Sequence, residues 1–293
     1  MARLSAFSLS KKYNLPAGVR AMNVLSQDFP PKSHLPGHVH LIGAGPGDPE
    51  LLTRRALRLM IEADVVVYDR LVSPEIMALI PAHIRRIDVG KLPKAHKVPQ
   101  DGINAMLIDL ARQGLRVARV KGGDPLIFGR GSEEAEACRA VGIACDYTPG
   151  ITSAQGAACS TGVPLTHRGL ATGVRYVTGH RARDGALDLD WASLASGDTT
   201  LVVYMGVANI AEISGKLIAH GLAAETPVLA VASATTPRET RVLSDLAGIA
   251  TAVADAQPEA PVLFIIGRVV SLYEPALLAA ALACEGAGMA AYA

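Results

Sequence analysis

The sequence predicts an α/β protein with two domains, and three observations carry that prediction. Short apolar runs alternate with longer segments whose apolar residues recur at helical spacing, a pattern typical of βαβ units and parallel sheets. Glycine-rich turns follow two of the apolar runs, as expected where a buried strand ends. The chain has 293 residues, against roughly 150 for a typical domain, and Pro149-Gly150 is a boundary signal near its middle.

The first half is predicted to contain five strands connected by helices. The first strand, at 39–42, runs into glycines. Asp48-Pro49 and Ser73-Pro74 each place a capping side chain before a proline at the first helical position, so both predict a helix start. Ser132 is expected near the start of a further helix that Gly142 closes. The other elements are strands at 65–68, 84–89 and 116–121 and a helix at 101–113 closed by Gly114.

The second half continues the same alternation. Strands are expected at 175–178, 199–205, 227–232, 240–243 and 262–266, and helices at 207–220 and 244–252. Residues 1–36 lack periodicity and are expected to form a disordered arm. The predicted organisation is an arm at 1–36, an N-terminal α/β domain at 37–150, a C-terminal α/β domain at 151–272 and an alanine-rich tail at 273–293.

Composition excludes several classes of protein. Lys plus Arg total 28 and Asp plus Glu total 27, so a nucleic-acid binder that relies on global charge is excluded. No apolar stretch approaches the roughly 18 residues of a membrane span, and no membrane association is expected. Cys138, Cys145, Cys159 and Cys284 form no C-x-x-C pair and are interpreted as free thiols, which fits a reducing cytoplasm.

Two glycine turns, at 43–49 and 122–125, each contain a Gly-Asp-Pro step. The first is not a dinucleotide-binding fingerprint, because Asp48 stands where the third glycine belongs, and no Gly-Lys-Ser/Thr follows as in a P-loop. The aspartate also places a negative charge where a phosphate would bind. Ligands of open parallel sheets bind beyond the carboxyl ends of the strands. The turns therefore favour a neutral or cationic ligand there, with a merely structural turn as the alternative.

Basic residues concentrate in the predicted loops of a nearly neutral protein. Guanidinium groups suit bidentate binding of carboxylates, so the loops indicate a small polyanionic substrate. An ordinary solvated surface is the alternative for any single lysine. The residues concerned are Arg70, Arg85, Arg86, Lys91, Lys94, Lys97, Arg130, Arg168, Arg181 and Arg183.

Four longer runs of the sequence resemble the tetrapyrrole methylase family. They are VHLIGAGPGDPELLTRRALRLMIEADVVVYDRLVSPEI, RVARVKGGDPLIFGRGSEEAEA, TPGITSAQGAACSTGVPLTHRG and VVYMGVANI. The resemblance extends from residue 39 to about 272, with Ser132 standing where the family usually has glycine. It implies a two-domain fold with a largely parallel N-terminal sheet and a mixed C-terminal sheet. It also implies methyl transfer from S-adenosylmethionine, bound in the cleft between the domains, to a porphyrinoid ring.

The resemblance assigns roles to individual residues. Asp69 and Lys91 fall on the positions of a proton acceptor and a proton donor, although a simple ion pair between Asp69 and Arg70 is the alternative. Arg130 joins them at the catalytic centre to clamp a carboxylate, since a guanidinium does not act as a base. Arg70, Glu133 and Arg168 fall on substrate-binding positions. The cofactor-binding positions are Pro46, Gly122, Gly123, Asp124, Ile127, Thr152, Ser153, Met205 and Ala234, of which Met205 could equally be core and Thr152-Ser153 a helix cap.

Within the family, YDRLVS, the KGGDP run through FGRG, and PLTHR are most similar to members that methylate uroporphyrinogen III at carbons 2 and 7. Those members form precorrin-2 through precorrin-1, for siroheme, cobalamin or haem d1 synthesis. The alternatives are a later precorrin C-methyltransferase, a tetrapyrrole carrier without activity, and a dinucleotide-binding oxidoreductase. The resemblance implies a cytoplasmic homodimer that releases S-adenosylhomocysteine. No metal is expected, because His167 and His180 lack partners at ligand spacing.

Overall fold

The computed structural model describes residues 37–90, 98–180, 185 and 187–276. The predicted arm at 1–36, residues 277–293 of the predicted tail, and Lys91, Lys94 and Lys97 lie outside the described residues, as do Arg181, Arg183 and Cys284.

A parallel sheet of five strands organises the first half, in the order β3-β2-β4-β1-β5. The strand at Val65–Tyr68 is apolar along its length, as expected where both faces of a sheet are covered. Val39 and Leu41 of β1 contribute to the core on one face, and Ile42 contributes to the core on the other. The strands are β1 (His38–Gly43), β2 (Val65–Tyr68), β3 (Arg85–Asp88), β4 (Arg116–Lys121) and β5 (Ala144–Thr148).

Helices connect these strands, and one of the predicted starts was wrong. Asp48 caps only a single 3-10 turn at Pro49–Leu51. The backbone is extended at Leu52, and α1 begins only after Thr53, whose hydroxyl accepts from the Ala56 amide at 3.1 Å. The helix expected to start near Ser132 begins one residue earlier, at Gly131, with Arg130 at the cap position. The helices are α1 (Arg54–Glu62), α2 (Pro74–Ala78), α3 (Gln100–Arg112), α4 (Gly131–Arg139) and α5 (Ser153–Thr161).

A mixed sheet organises the second half, in the order β6-β7-β10-β8-β9. The β6–β7 pair is parallel, whereas β10 runs antiparallel to both β7 and β8, and β9 runs antiparallel to β8. The predicted two-sheet architecture, parallel and then mixed, is therefore confirmed. The strands are β6 (Gly173–Thr178), β7 (Thr199–Tyr204), β8 (Pro227–Ala232), β9 (Thr240–Asp245) and β10 (Val262–Ile266).

The helices described in the second half are α6 (Trp191–Leu194), α7 (Ile210–Ala219) and α8 (Ile249–Ala256). The predicted helix at 244–252 started too early, because β9 continues to Asp245 and pairs with β8 along its whole length. The Asp245 carboxylate then accepts from the Gly248 amide at 2.7 Å and forms the turn that precedes α8.

Topology brings loops of both sheets together. The five parallel strands place all their carboxyl ends at one edge of the first sheet. The loop after β8 faces that edge, since the Asp48 amide donates to the Thr235 hydroxyl at 3.3 Å. The end of β7 faces it too, since the Tyr204 ring lies against Phe128 of the loop after β4. Within the described residues, no helix is long and apolar enough to span a membrane.

Candidate active site

The two glycine turns are bonded directly to each other. Gly45 donates to the Gly123 carbonyl at 3.1 Å, and Gly123 donates back to the Gly45 carbonyl at 2.7 Å. The Asp124 carboxylate accepts from the amides of Leu126, at 2.8 Å, and Gly150, at 3.1 Å. This carboxylate therefore fixes the turn after β4 against the loop after β5.

Glycine is required at these turns because the loops cross at backbone distance. A Cβ at Gly150 would overlap the carbonyl oxygen of Gly123, and one at Gly43 would lie 2.6 Å from the same oxygen. Gly122 packs against Leu71, where a Cβ would lie 2.8 Å from the Leu71 Cβ. Loop packing, rather than space for a ligand, thus accounts for the glycines at these positions.

Tyr204, the last residue of β7, ties the second sheet to the start of α5. Its hydroxyl lies 2.6 Å from the Thr152 Oγ1 and accepts from the Ala154 amide at 3.2 Å. Burial raises the pKa of the Tyr204 phenol above its usual range. The Phe128 ring lies against Tyr204 with a centroid distance of 5.0 Å. Thr152 therefore stands at the cap position of α5 but uses its hydroxyl on Tyr204, not on the helix.

Left-handed backbone conformations concentrate around the same cleft. Such conformations are unfavourable for residues other than glycine, by about 1–3 kcal/mol each, and they cluster at functional sites. Within the described residues, those in the loops after β4, β7 and β8 are Phe128, Arg130, Met205, Ser233 and Thr235, with Gln257 elsewhere. Phe128 and Met205 are also 41% and 51% exposed, so both offer apolar surface to the cleft.

Most of the predicted cofactor-binding residues converge on this cleft. A Cβ at Gly123 would lie 3.5 Å from the Ser153 hydroxyl, and one at Gly156 would lie 2.5 Å from the Pro46 Cβ. Ile127 donates to the Asp124 carbonyl at 3.3 Å. Ala234 lies in the loop after β8, with its carbonyl beside Gly47.

Asp69 stands at the carboxyl end of β2, and its ion-pair partner is not Arg70. Its Oδ2 accepts from Nη2 of Arg119 at 3.4 Å, and its Oδ1 accepts from the Leu71 amide at 3.3 Å. The Asp69 side chain is 26% exposed, whereas that of Arg119 is 2% exposed. The alternative pairing of Asp69 with Arg70 is therefore wrong in the described structure.

A buried charge cluster lies beneath Asp69, and no motif in the sequence pointed to it. Oε1 of Glu134, on α4, accepts from the Arg119 Nε at 3.3 Å, the Arg119 Nη2 at 3.2 Å, the Lys121 Nζ at 3.0 Å and the Gln100 Nε2 at 3.1 Å. Burial lowers the pKa of Lys121, and the positive charge of the neighbouring Arg119 lowers it further. Arg119 and Lys121, at alternate positions of a strand that is apolar everywhere else after its first residue, were the signal that the sequence offered, since alternate positions share one face.

Arg130 and Glu133 form an exposed pair at the start of α4. The guanidinium donates through Nε to one carboxylate oxygen at 2.9 Å and through Nη2 to the other at 2.6 Å. The hydrogen bonds to Arg130 lower the pKa of Glu133.

Arg70 lines a small cavity of about 180 Å³ with Pro46 and Arg238. Arg168 is exposed in the loop between α5 and β6, and it does not line the cavity beside Arg70.

One cluster of potential metal-ligating side chains occurs among the described residues, at the opposite end of β1. His40 Nδ1 lies 2.8 Å from an Asp146 oxygen, His38 Nε2 lies 3.6 Å from the same oxygen, and Arg55 donates to the other oxygen at 2.9 Å. Both carboxylate oxygens of Asp146 therefore have partners within the protein. His167 and His180 are not members of the cluster.

The chain is similar to known proteins along most of its described length. Residues 38–250 match the family model of tetrapyrrole (corrin/porphyrin) methylases. Over 242 residues the chain is 64% identical to a uroporphyrinogen-III C-methyltransferase of Paracoccus denitrificans, covering 83% of this chain and 84% of the relative. It is 52% identical to a siroheme synthase of Chromobacterium violaceum over 80% of this chain, but spans only 50% of that protein.

Among solved structures, the chain is also similar to methyltransferases. A uroporphyrin-III C-methyl transferase from Thermus thermophilus complexed with S-adenosyl homocysteine is 41% identical, with a TM-score of 0.68 over 80% of this chain and 94% of that chain. A cobalt precorrin-4 methyltransferase of cobalamin biosynthesis is 26% identical, with a TM-score of 0.71 over 80% of this chain and 95% of that chain. With its parallel and mixed sheets meeting at the two glycine turns, the chain belongs to the tetrapyrrole (corrin/porphyrin) methylase family.

Proposed function

We propose that this protein is an S-adenosylmethionine-dependent methyltransferase that converts uroporphyrinogen III to precorrin-2. It would methylate carbons 2 and 7 in succession, through precorrin-1, and consume two molecules of S-adenosylmethionine. The observation that carries the proposal is the 64% identity to a curated uroporphyrinogen-III C-methyltransferase across 84% of that protein. The product would supply siroheme, cobalamin or haem d1 synthesis.

The cleft has the chemistry that S-adenosylmethionine needs. Both glycine turns carry aspartates and no basic residue, which suits a cationic sulfonium better than a polyphosphate. The exposed side chains of Phe128 and Met205 supply apolar walls. When bound, S-adenosylmethionine supplies a methyl group whose transfer neutralises the sulfonium charge, so dry apolar surroundings favour that transfer. The proposed cofactor residues are Pro46, Gly122, Gly123, Asp124, Ile127, Thr152, Ser153, Met205 and Ala234.

The substrate residues would act by charge. Uroporphyrinogen III carries eight carboxylates, and exposed arginines at the cleft can bind them in bidentate fashion. Arg70 and Arg168 are exposed, and Arg130 already forms such a fork with Glu133. We assign Arg70, Arg130 and Arg168 to the substrate carboxylates, with Arg130 nearest the reacting centre. Glu133 belongs to the same substrate site through Arg130, whose fork it occupies until a substrate carboxylate replaces it.

Proton transfer would complete the reaction, since the methylated ring must lose a proton. Asp69 is accessible from the cleft and fixed through both carboxylate oxygens, which suits a general base that must meet a proton at hydrogen-bonding distance. We assign Asp69 as the proton acceptor and Lys91, outside the described residues, as the proton donor.

Further parts of the proposal concern the whole molecule. We propose a cytoplasmic homodimer that needs no metal, with domains at 37–150 and 151–272. The free thiols of Cys138, Cys145 and Cys159 support a reducing compartment. Light scattering after gel filtration tests the dimer, and activity after exhaustive chelation tests the independence from metal.

The decisive experiment is anaerobic incubation with methyl-labelled S-adenosylmethionine and enzymatically made uroporphyrinogen III. Label in precorrin-2 is the expected result. Label transferred only when a later precorrin is supplied would favour the alternative within the family. Calorimetry adds a second measurement, in which S-adenosylhomocysteine binds and NAD does not. Tight NAD binding without an S-adenosylhomocysteine signal would overturn the cofactor assignment.

A further inference from the structure

Arg119 bridges two carboxylates of different character. On one side its Nη2 reaches the Asp69 carboxylate, which is open to the cleft. On the other side its Nε and Nη2 both reach Oε1 of Glu134, which is completely buried. Arg119 pairs in register with Val67 of β2, two residues before Asp69. The sheet itself therefore places this guanidinium beneath the end of β2.

We propose that Arg119 is a positioning residue for Asp69 and that Glu134 is the buried anchor that holds Arg119 in place. The proposal rests on the proposed function, in which Asp69 accepts the proton. Arg119 is 2% exposed and lies behind Asp69, so it has no path to a substrate and acts through the carboxylate that it contacts.

The contacts of Asp69 explain why Arg119 matters. One carboxylate oxygen is fixed by the Leu71 amide within the same turn, and the other is fixed by Arg119. The side-chain torsion of aspartate next to its carboxylate is broad, so a single remaining contact leaves the group free to rotate. A misplacement of about 1 Å can reduce a reaction rate about 100-fold.

The contacts of Glu134 explain why the anchor is firm. Every hydrogen bond that Glu134 accepts from Arg119, Lys121 and Gln100 goes to its Oε1, and its Oε2 has no hydrogen-bond partner among the described residues. Two cations and two carboxylates make the cluster electrically neutral, so Asp69 balances the charge that Glu134 alone cannot. The acceptor carboxylate is thus the outermost member of a neutral, mostly buried cluster.

A purely structural role for Arg119 is the competing explanation, and a double-mutant cycle separates the two. Arg119→Gln and Asp69→Asn are made singly and together, and kcat, KM and S-adenosylhomocysteine affinity are measured for each. Arg116→Gln is the matched control. It lies on the same strand and also pairs with an aspartate, Asp64, at 3.3 Å, but its side chain is 55% exposed at the opposite end of β4.

Arg119→Gln is expected to lower kcat about 100-fold, with KM and cofactor affinity nearly unchanged. In the Asp69→Asn background the same substitution is expected to cause no further loss. Arg119→Lys keeps the charge without the planar fork and should retain more activity than the glutamine variant. Wild-type kcat in Arg119→Gln would overturn the proposal, and so would an equal loss in both backgrounds.

A measurement independent of activity keeps this proposal separate from the proposed function. Crystal structures of Arg119→Gln and Arg116→Gln should show the Asp69 carboxylate displaced in the first and unmoved in the second. An unmoved Asp69 in Arg119→Gln would refute the positioning role, even if the wild-type protein fails to methylate uroporphyrinogen III. If neither the glutamine nor the lysine variant of Arg119 folds, the residue is structural and the proposal falls.

Discussion

Arg130 and Glu133 hold each other in a two-point fork, at 2.9 and 2.6 Å, on the first turn of α4. Both side chains are about half exposed, at 54% and 50%, so the pair contributes little to folding. A substrate carboxylate that uses the Arg130 fork must first displace Glu133. The Glu133 carboxylate therefore holds the Arg130 guanidinium in the geometry in which it would bind a substrate carboxylate.

Arg130→Ala is expected to slow methylation strongly while S-adenosylhomocysteine still binds. Loss of a charge-assisted bidentate contact corresponds to about a 100-fold lower rate, and the released Glu133 would repel an anionic substrate. Arg130→Lys should restore little, since an ammonium cannot form the planar fork. Precorrin-2 formation and cofactor affinity are measured on the same preparations. Normal turnover in the alanine variant would remove Arg130 from the site.

Glu133→Gln tests the same pair from its other side. Because Glu133 occupies the Arg130 fork, the substitution removes the charge that competes with a substrate carboxylate, and KM for uroporphyrinogen III is expected to fall several-fold. A raised KM would mean that Glu133 itself contacts the substrate. Arg58→Gln, in the exposed Arg58–Glu62 pair of α1, serves as the control and should change neither constant.

Gly150→Ala is expected to destabilise the protein and to abolish cofactor binding. Its Cβ would overlap the Gly123 carbonyl oxygen, which is backbone and cannot move aside as a side chain can. Overpacking of this kind costs about 1–3 kcal/mol, and relief of the clash would separate the turns at 43–49 and 122–125. Thermal melting and calorimetry with S-adenosylhomocysteine measure the two effects. Gly197→Ala, where nothing lies within 4 Å of a Cβ, is the control.

The strands were predictable from the sequence because most are apolar runs bounded by glycine or proline. β5 (Ala144–Thr148) was expected in number but not located, since its residues are mostly half-buried and polar. The start of α1 was misplaced because Asp48-Pro49 and Thr53 are both good capping signals. Local sequence does not decide between them, whereas the extended backbone at Leu52 does.

The site was predictable only where its residues are contiguous in sequence. The glycine turns and the fork-forming Arg130 belong to short contiguous motifs, which can be recognised in the sequence without knowing the fold. The pairing of Asp69 with Arg119 depends on the register between β2 and β4, and Glu134 joins them from α4. The spacing of these residues along the sequence does not predict that contact. Sequence reasoning therefore offered only the neighbouring Arg70 as a partner for Asp69.

Tyr204→Phe is expected to weaken cofactor binding about 10-fold and to lower stability by about 1 kcal/mol. The hydroxyl is the partner of both Thr152 and the Ala154 amide, and a typical buried hydrogen bond contributes about that amount. Its loss frees the start of α5, where Thr152 and Ser153 are proposed to meet the cofactor. Tyr176→Phe is the control, because that ring lies edge-on to Tyr204 at 5.8 Å, whereas it is the Tyr204 hydroxyl that accepts from the Ala154 amide at the start of α5. Equal affinities in the two variants would contradict the prediction.

Lys121→Met is expected to change the pH dependence of stability in a defined direction. Burial and the adjacent Arg119 hold the pKa of Lys121 below its ordinary 10.5, against the opposing effects of Glu134 and Asp69. Between the folded-state pKa and 10.5, the unfolded chain binds a proton at Lys121 that the folded protein does not. Raising the pH through that window therefore favours the folded state. The free energy of unfolding of the wild-type protein should rise relative to Lys121→Met as the pH approaches 10.5. Urea denaturation of both proteins across that range measures the difference. A difference that stays flat or falls would mean that Lys121 keeps its proton in the folded state.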